Sequence, residues 1–312
     1  MTDWQPTTSI EVIKHRAQLL TQIRKFFAAR QVLEVETPLL GAHTVTDPNI
    51  ASFEVLIDKR RCYLQTSPEY FMKRLLAAGA PDIYQICKSF RKEEQGAHHH
   101  PEFTLIEWYR KGLSLYDIMN ETVALISLLV PALKRTQFMS YEQALQTVLN
   151  VSLDELDIDG LETVVREQGL QISKGLSRDQ LLDFVFASCV APRFDNTALT
   201  VIYHYPASQA ALAKLTYDNP RTAERFEVFC GELELANGYV ELTHPQEQIK
   251  RFQQDQNIRQ NCKLADIEID ARLIAAQEHG LPECAGVAVG LDRLLMLATQ
   301  SSQIKDVISF DL

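Results

Sequence analysis

The chain has 312 residues, of which 46% are hydrophobic, and this length can bury the core of one large domain or two modest ones. Its formal net charge of -10 argues against a protein whose main task is to bind a polyanion, because nucleic-acid binding relies on Lys and Arg side chains that neutralise phosphates. No apolar run approaches the ~20 residues of a membrane helix, and the opening MTDWQPTTSI lacks the basic-then-apolar order of a secretory signal. We therefore expect a soluble, cytoplasmic protein that does not enter a membrane.

The cysteines are scattered along the chain, without a Cys-x-x-Cys pair or another short spacing typical of zinc sites. We expect all of them to be reduced and most of them to be buried. They are Cys62, Cys87, Cys189, Cys230, Cys262 and Cys284.

The first forty residues predict a helix followed by a strand. Residues 10–30 place their apolar side chains on one broad helical stripe, and Thr8 or Ser9 is suited to cap that helix. The next segment, VLEVETP, is short, β-branched and alternating, which is typical of a strand. We expect Pro38 to end this strand because proline lacks the N–H that a ladder needs.

The following segments predict a second helix and a hairpin. Extended stretches are expected around residues 53–57 and 62–65, before a helix with Ser67 as its cap and Pro68 at its first position. IYQICKSFRKEE is typical of a strand that enters a polar loop, and PEFTLIEWYR of its returning partner. The pair predicts an antiparallel hairpin with a long, charged connection.

The second half of the chain begins with a helical region and returns to strands. Residues 114–190 are helical and polar in pattern, and we interpret them as an insertion without residues grouped for chemistry. VIYHYP, RFEVF and LELANGYVEL predict strands, and a long polar helix is expected over residues 245–262. The ending CAGVAVGLDRLLMLATQ predicts a glycine-bearing strand that runs into an apolar helix.

Two carboxylates stand close together in the segment RFEVFCGELEL. A two-residue turn at Cys230-Gly231 would place Glu227 directly opposite Glu234 on one face of the sheet. Like charges that face each other across strands are destabilising, and a bound Mg²⁺ held together with substrate phosphates would explain the pair. The spacing alone leaves open that both carboxylates are solvated on an outer face.

Glu241 follows Glu234 at an odd interval, which in a regular strand would aim its side chain at the opposite face. A bulge at Asn237-Gly238 would return it to the same side as Glu234. A third carboxylate there could pair with a cationic group of a substrate. A solvated surface glutamate remains the alternative.

Two arginines are candidates for binding a phosphate. Arg91 ends the first hairpin strand, and its planar guanidinium suits a bidentate contact, although mixed-charge loops of this kind are commonly just solvated. Arg293 begins a helix whose N-terminal dipole favours an anion. Gly286, Ala288 and Gly290 would let the backbone approach a ligand closely.

The loop of the hairpin carries three adjacent histidines, His98, His99 and His100. Three neighbours in one loop do not easily turn toward the same ion, so we interpret this loop as one that touches a nucleotide rather than as a metal site. Phe103 could stack on a base, although an aromatic residue in a hairpin strand more commonly belongs to the core.

Taken in order, these segments resemble the catalytic domain of class II aminoacyl-tRNA synthetases, specifically the lysyl branch, over nearly the whole chain. The opening through VLEVETP is similar to motif 1, FRKEE…HHHPEFTLIEWYR to motif 2, and GVAVGLDRL to motif 3. TSPEYFMKRLL and FEVFCGELELANGYVEL resemble lysyl-branch segments between those motifs. The resemblance implies a single α+β catalytic domain over residues 1–312, with a mainly antiparallel sheet of six or seven strands flanked by helices and with dimerisation through motif 1.

The resemblance also implies a site for ATP and Mg²⁺. Arg91 would contact the α-phosphate and Arg293 the γ-phosphate as the two catalytic residues, and Phe103 would stack on adenine. Further ATP contacts are implied for Lys92, Glu93, His100, Glu234, Leu235 and Gly290. Glu227 and Glu234 would hold Mg²⁺.

An amino-acid pocket is implied beside the nucleotide. Glu69 and Glu107 would receive the backbone-side amine of the substrate, and Tyr109 and Glu241 would receive its side-chain ammonium. Ser67, Pro68 and Ala288 would complete the pocket.

Two departures distinguish the chain from an ordinary lysyl-tRNA synthetase. Motif 1 begins almost at residue 10, so we expect no anticodon-binding OB domain, and Ser67 and Ala288 replace the alanine and glycine usual in the synthetase pocket. Both departures resemble the truncated paralogues that attach (R)-β-lysine to a lysine of translation elongation factor P. Lys92 and His100 stand where related sequences commonly carry asparagine, which puts in doubt the nucleotide contacts of these two side chains.

The resemblance implies an ATP-dependent, AMP-forming ligase with (R)-β-lysine or lysine as one substrate and elongation factor P as the other. One alternative is a synthetase core that charges tRNA with lysine without an anticodon domain of its own. A non-catalytic regulatory paralogue is the second alternative, and the joint presence of Arg91, Glu93, Glu227, Glu234 and Arg293 argues against it.

Overall fold

The computed structural model describes residues 4–153, 156–173 and 175–311, and the chain divides into two units. The first unit comprises residues 1–130 and 240–312, and the second comprises residues 131–239. Among the described residues, no helix combines the length and the apolar character that a membrane crossing requires.

The first unit contains a four-stranded ladder, a small second sheet and six helices in its described part. The ladder runs in the order β1 (Leu33–Glu34), β5 (Ile83–Phe90), β6 (Glu102–Lys111) and β11 (Cys284–Gly290), with β1 parallel to β5 and the other pairs antiparallel. The small sheet has the order β2 (Leu40–Gly41), β4 (Arg60–Leu64) and β3 (Glu54–Ile57). The helices are α1 (Ile10–Ala28), α2 (Glu69–Ala77), α3 (Leu115–Leu129), α7 (Pro245–Asn261), α8 (Ala271–Gly280) and α9 (Leu291–Thr299).

Helix α1 covers one face of this ladder. Ser9 caps the helix, because its side chain accepts from Val12 N at 3.3 Å, as the sequence predicted. Phe27 stacks on Tyr84 of β5 at 4.3 Å between ring centroids and meets Trp108 of β6 at 5.2 Å. Since side chains alternate along a strand, the residues beside Trp108 in β6 face the opposite side, away from α1.

The second unit pairs four strands with a helical region. The strand order is β7 (Thr136–Ser140), β8 (Leu199–Pro206), β9 (Thr222–Cys230) and β10 (Leu233–Val240), with β7 parallel to β8 and the other pairs antiparallel. The helices are α4 (Tyr141–Leu149), α5 (Ile158–Glu167) and α6 (Arg178–Val185), followed by a π-helical turn at Phe186–Val190. Tyr141 stacks on Phe186 at 4.8 Å in the core of this unit.

The fold confirms the predicted α+β class with mainly antiparallel strands and flanking helices. The described residues contain eight strands in the two ladders, where six or seven were predicted, because β7 lies inside the segment taken as purely helical. Helix α3 falls in the first unit, and the helical insertion over residues 114–190 stays a prediction. The single catalytic domain over residues 1–312 stays a prediction.

The predicted end of the first strand and the predicted start of the second helix differ from those in the structure. Strand β1 ends at Glu34, well before Pro38. Val35 N still donates to Tyr84 O, but the next contact with β5 is a side-chain hydrogen bond, from Thr37 Oγ1 to Gln85 Oε1 at 2.9 Å. Helix α2 begins at Glu69 rather than at Pro68, and Pro68 occupies the cap position. Ser67 Oγ still accepts from Glu69 N, at 3.5 Å.

Candidate active site

The face of the first unit's ladder that points away from α1 gathers most of the predicted site residues. Along β6, Phe103, Glu107 and Tyr109 share this face. In the register with β11, Ala288 lies opposite Glu107 and Gly286 lies opposite Tyr109. The proposed adenine contact and the proposed amine contacts therefore follow one another along a single strand, with Phe103 and Glu107 about 13 Å apart at ~3.3 Å per residue.

The predicted amino-acid pocket contains two buried carboxylates, Glu107 and Glu241, the half-buried Glu69 and one buried lysine. Glu69 and Lys73 stand one turn apart on α2, with Glu69 Oε1 and Lys73 Nζ separated by 2.6 Å. Lys73 Nζ also lies 2.6 Å from Glu241 Oε2. The backbone fixes Glu241 beside β11, since Glu241 N donates to Cys284 O at 2.9 Å.

Glu107 supplies an acceptor that nothing in the described part of the chain satisfies. Its side chain is only 2% exposed, and its Oε1 accepts from Tyr109 Oη at 2.7 Å. Its Oε2 is buried without a hydrogen-bond partner among the described residues. A buried acceptor left unpaired costs free energy, which a cationic ligand would recover.

Burial and like charges perturb the ionisation of this pocket. Burial, reinforced by the charge of Glu69, raises the pKa of Glu107 to about 8. Burial also raises the pKa of Glu241 to about 7, against the opposing charge of Lys73. Burial lowers the pKa of Lys73, but the charges of Glu241 and Glu69 outweigh it and raise this pKa above its ordinary value. The charge of Lys73 is therefore not enough to bring the pKa values of Glu107 and Glu241 down to the ordinary carboxylate range.

Small residues form the floor of the pocket. A Cβ at Gly286 would lie 2.4 Å from Tyr109 Cε1 and 2.5 Å from Glu241 Oε1, so only glycine fits there without movement of both side chains. Ala288 is half-buried opposite Glu107. Ser67, half-buried, and the buried Pro68 stand immediately before Glu69 at the start of α2.

The nucleotide candidates of the first unit lie on and near the same face. The Arg91 guanidinium carbon is 5.1 Å from the centroid of the Phe103 ring, and Arg91 Nη1 contacts Glu94 Oε1 at 2.8 Å. Arg91 Nε is buried without a hydrogen-bond partner in the described ranges. A donor of this kind suits a phosphate oxygen.

Arg293 lies in the first turn of α9 and contacts the histidine loop. Its Nη2 is 2.8 Å from His99 Nε2, and its Nε donates to His98 O at 3.3 Å. Burial, followed by the charge of Arg293, lowers the pKa of His99. Gly290 is the cap residue of α9, so its backbone stands where the helix dipole favours an anion.

The remaining candidates for nucleotide contacts in this unit, Lys92, Glu93 and His100, differ in how exposed they are. Lys92 and Glu93 are exposed. The imidazole of His100 is buried, with Nδ1 2.6 Å from Glu102 O and Nε2 3.4 Å from Asp311 Oδ1. Their contacts with ATP stay predictions. Among the described residues, no group of three or more His, Cys, Asp or Glu side chains is arranged to hold a metal ion.

The carboxylate pair of the second unit has a different register from the one predicted. Cys230 pairs with Leu233, so the turn is Gly231-Glu232, and Gly231 takes a positive φ of 55° as the first turn residue. Glu227 therefore lies opposite Asn237, and Glu234 lies opposite Phe229. Glu227 and Glu234 still share one face, because Glu227 and Phe229 are two residues apart on β9.

The predicted bulge exists at a different place. It falls between Glu234 and Ala236, with Leu235 as the additional, buried residue, rather than at Asn237-Gly238. The bulge shifts the pairing by one residue, so that Ala236 lies opposite Val228.

Glu227 is held by donors on three sides. Tyr205 Oη donates to Glu227 Oε2 at 2.6 Å, and Arg225 Nη2 lies 2.5 Å from Glu227 Oε1. Asn237 Nδ2 donates to the same Oε1 at 3.3 Å. A carboxylate offers about four acceptor positions, so Glu227 keeps capacity for a hard cation, and the half-buried Glu234 supplies a second oxygen donor on that face. These residues therefore fit Mg²⁺ as ligands.

The sequence missed four residues that order the candidate site. Lys73 had a detectable signal, since Glu69 and Lys73 are spaced i, i+4 with the glutamate first. Arg225 had one as well, since residues two apart on a strand share a face, whereas Tyr205 and Asn237 had none, because their contacts with Glu227 depend on the β8–β9–β10 register.

The sequence of the chain is similar to those of known proteins over nearly its whole length. A family model described as tRNA synthetases class II (D, K and N) matches residues 1–311. The chain is 45% identical over 316 residues to the elongation factor P–(R)-β-lysine ligase of Pseudoalteromonas translucida, which covers 99% of this chain and 97% of the relative. It is 44% identical to the ligase of that name from Mannheimia succiniciproducens, over 98% and 97% of the two chains, and 45% identical to that from Vibrio vulnificus, over 99% and 98%. The chain belongs to the family of class II tRNA synthetases of the D, K and N group.

Proposed function

We propose that this chain is an ATP-dependent ligase that activates (R)-β-lysine and transfers it to the side chain of a lysine of elongation factor P. The observation that carries the proposal is the cluster of Glu69, Glu107 and Glu241, in which two buried carboxylates and a half-buried one occur with a single buried ammonium, that of Lys73. The relatives that cover nearly all of this chain bear the name of that activity.

The pocket suits a substrate with two ammonium groups. When the carboxylates are ionised, three negative charges and the charge of Lys73 leave an excess of two negative charges. Glu69 and Glu107 would receive the amine nearer the carboxylate of the substrate, and Tyr109 and Glu241 the distal ammonium. Ala288, opposite Glu107, would set how far the proximal amine can lie from the ladder.

The first step forms an acyl-adenylate. A carboxylate oxygen of the amino acid attacks the α-phosphorus of ATP in line, and the bond to pyrophosphate breaks. Arg91 would stabilise the charge that develops on the α-phosphate, and Arg293 would hold the γ-phosphate. Phe103, under the Arg91 guanidinium, would stack on the adenine ring.

Glu227 and Glu234 would hold Mg²⁺, which supplies charge neutralisation for the phosphates when bound. Tyr205 and Arg225 keep the carboxylate of Glu227 in a fixed orientation. Gly290 would contribute backbone surface to the nucleotide contacts of the first unit.

The second step transfers the acyl group to a protein. The neutral ε-amine of the acceptor lysine attacks the acyl carbon, the bond to AMP breaks, and the amine loses its extra proton to solvent. No side chain of this chain forms a covalent bond in either step. The protein thus acts through binding, orientation and charge.

We further propose a homodimer that forms through α1 and the segment after it, and a cytoplasmic location. Leu33, Leu39 and Leu40 are large apolar residues exposed in that segment, as expected of a surface that a second copy covers. Free thiols at all the cysteines of the described chain agree with a reducing compartment.

Transfer of radiolabelled lysine tests this function. The protein, ATP, Mg²⁺ and labelled (R)-β-lysine are incubated with elongation factor P, with elongation factor P whose acceptor lysine is replaced by arginine, or with tRNA. We expect acid-stable label on the first acceptor alone. Label on tRNA would favour the synthetase activity instead, and absence of amino-acid-dependent ATP–pyrophosphate exchange would favour a non-catalytic paralogue.

A further inference from the structure

Lys73 is the one cation that the described residues place inside the amino-acid pocket. Its side chain is 1% exposed, and its Nζ lies 2.6 Å from a carboxylate oxygen of both Glu69 and Glu241. Helix α2 presents Lys73 on the same side as Glu69, one turn further along. The ammonium therefore bridges two carboxylates that come from distant parts of the chain.

Stability alone does not explain this arrangement. Moving charges out of water is costly, and a well-packed apolar residue in place of a buried ion pair is commonly as stable. The three carboxylates also repel one another, so they need a fixed cation to keep a single arrangement when no substrate is present. Lys73 meets that need through its contacts with Glu69 and Glu241.

We propose that Lys73 is a positioning residue for amino-acid selection, which fixes the positions of the Glu69 and Glu241 carboxylates and cancels one of the three carboxylate charges. The inference rests on the proposed function and adds a rule of selection to it. The pocket takes a ligand with two ammonium groups, and it discriminates against amino acids with one. Lys73 itself is no nucleophile, since the two carboxylates keep its amine protonated.

Three variants separate charge from packing. Lys73→Met keeps the unbranched apolar part of the side chain without its charge, Lys73→Gln keeps hydrogen-bond donors without charge, and Lys73→Arg keeps the charge. The readout is amino-acid-dependent ATP–pyrophosphate exchange with (R)-β-lysine, lysine and the monoammonium analogue norleucine, as KM and kcat at several pH values. Thermal unfolding of each variant reports folding.

In the neutral variants we expect the KM for lysine substrates to rise about tenfold or more, and the preference for lysine over norleucine to fall. The KM for ATP should change less than about twofold, and the pH at which the lysine KM is lowest should move upward, because the carboxylates then hold protons more tightly. Lys73→Arg should keep the pH profile of the unmodified protein.

An unchanged lysine KM and pH profile in a folded neutral variant would overturn the proposal while leaving the proposed function intact. Unfolding of both neutral variants, with Lys73→Arg folded, would assign the ammonium a structural role and overturn it as well. Absence of exchange in the unmodified protein would instead overturn the proposed function, and this inference with it.

Discussion

Ala288 lies directly opposite Glu107 in the antiparallel register of β6 and β11, so its methyl group stands beside the carboxylate proposed to receive the proximal amine. Removing that methyl in Ala288→Gly should let an α-amine approach Glu107. We expect the ratio of kcat/KM for α-lysine over (R)-β-lysine to rise by about 10- to 200-fold, the scale of ~1–3 kcal/mol for one methyl-sized change. ATP–pyrophosphate exchange with both isomers measures it.

Ala285→Gly is the matched control, because Ala285 is on the same strand but faces the other side of the ladder. It should lower the melting temperature without changing the isomer ratio. An equal change of the ratio in both variants would attribute the effect to strand flexibility.

Gly286→Ala should damage the amino-acid pocket more severely. The added Cβ would meet both the Tyr109 ring and the Glu241 carboxylate within 2.5 Å, so both side chains must move. We expect the lysine KM to rise about 100-fold, while ATP alone still raises the melting temperature as it does for the unmodified protein. Retention of the normal lysine KM would show that these two side chains do not contact the substrate.

The ionisation of the pocket predicts a dependence of stability on pH. The folded protein raises the pKa of Glu107 to about 8 and that of Glu241 to about 7, so folding takes up protons above the ordinary carboxylate pKa. The stability that these groups contribute is therefore lost as the pH rises through 7 and 8. The melting temperature of the ligand-free protein should fall between about pH 6 and about pH 8.5.

A diammonium ligand favours the ionised carboxylates, so the increase in melting temperature caused by lysine should grow over the same pH range. Glu107→Gln removes one of the two titrations and should flatten both trends. A lysine-induced increase that shrinks as the pH rises, over the range in which lysine keeps both ammonium groups, would contradict this assignment.

Replacement of Phe103 tests the nucleotide position. Phe103→Leu keeps an apolar side chain but removes the ring under Arg91, and we expect a loss of ATP affinity of ~1–3 kcal/mol, the scale of base–aromatic stacking. Phe138→Leu, at an exposed position of β7 in the second unit, is the control. Isothermal titration with ATP should separate the two, and equal affinities would place adenine elsewhere.

The sequence predicted the elements of this fold better than their pairing. The helical stripe of α1 and its Ser9 cap, the β5–β6 hairpin and the strand-to-helix ending were all visible as periodic patterns. The turn between β9 and β10 was misplaced by one residue, because Cys230-Gly231 and Gly231-Glu232 are both plausible two-residue turns in the sequence. The positive φ of Gly231 decides between them, and it is a property of the folded chain.

Contacts within the candidate site could not be predicted from the sequence either. Glu69, Glu107 and Glu241 were identified through family resemblance, but the ionisation of Glu107 and Glu241 depends on Lys73, whose contact with Glu241 joins residues far apart in the chain. The unpaired oxygen of Glu107 likewise appears only once packing excludes water from it. Local periodicity carries no information on either.

The central claim is tested most directly by the intact mass of elongation factor P after incubation with this protein, ATP, Mg²⁺ and (R)-β-lysine, with α-lysine in a parallel reaction. We predict a mass gain of one lysyl group that depends on ATP and forms faster with the β-isomer. No mass gain with either isomer, from a preparation that is folded and binds ATP, would contradict the ligase assignment.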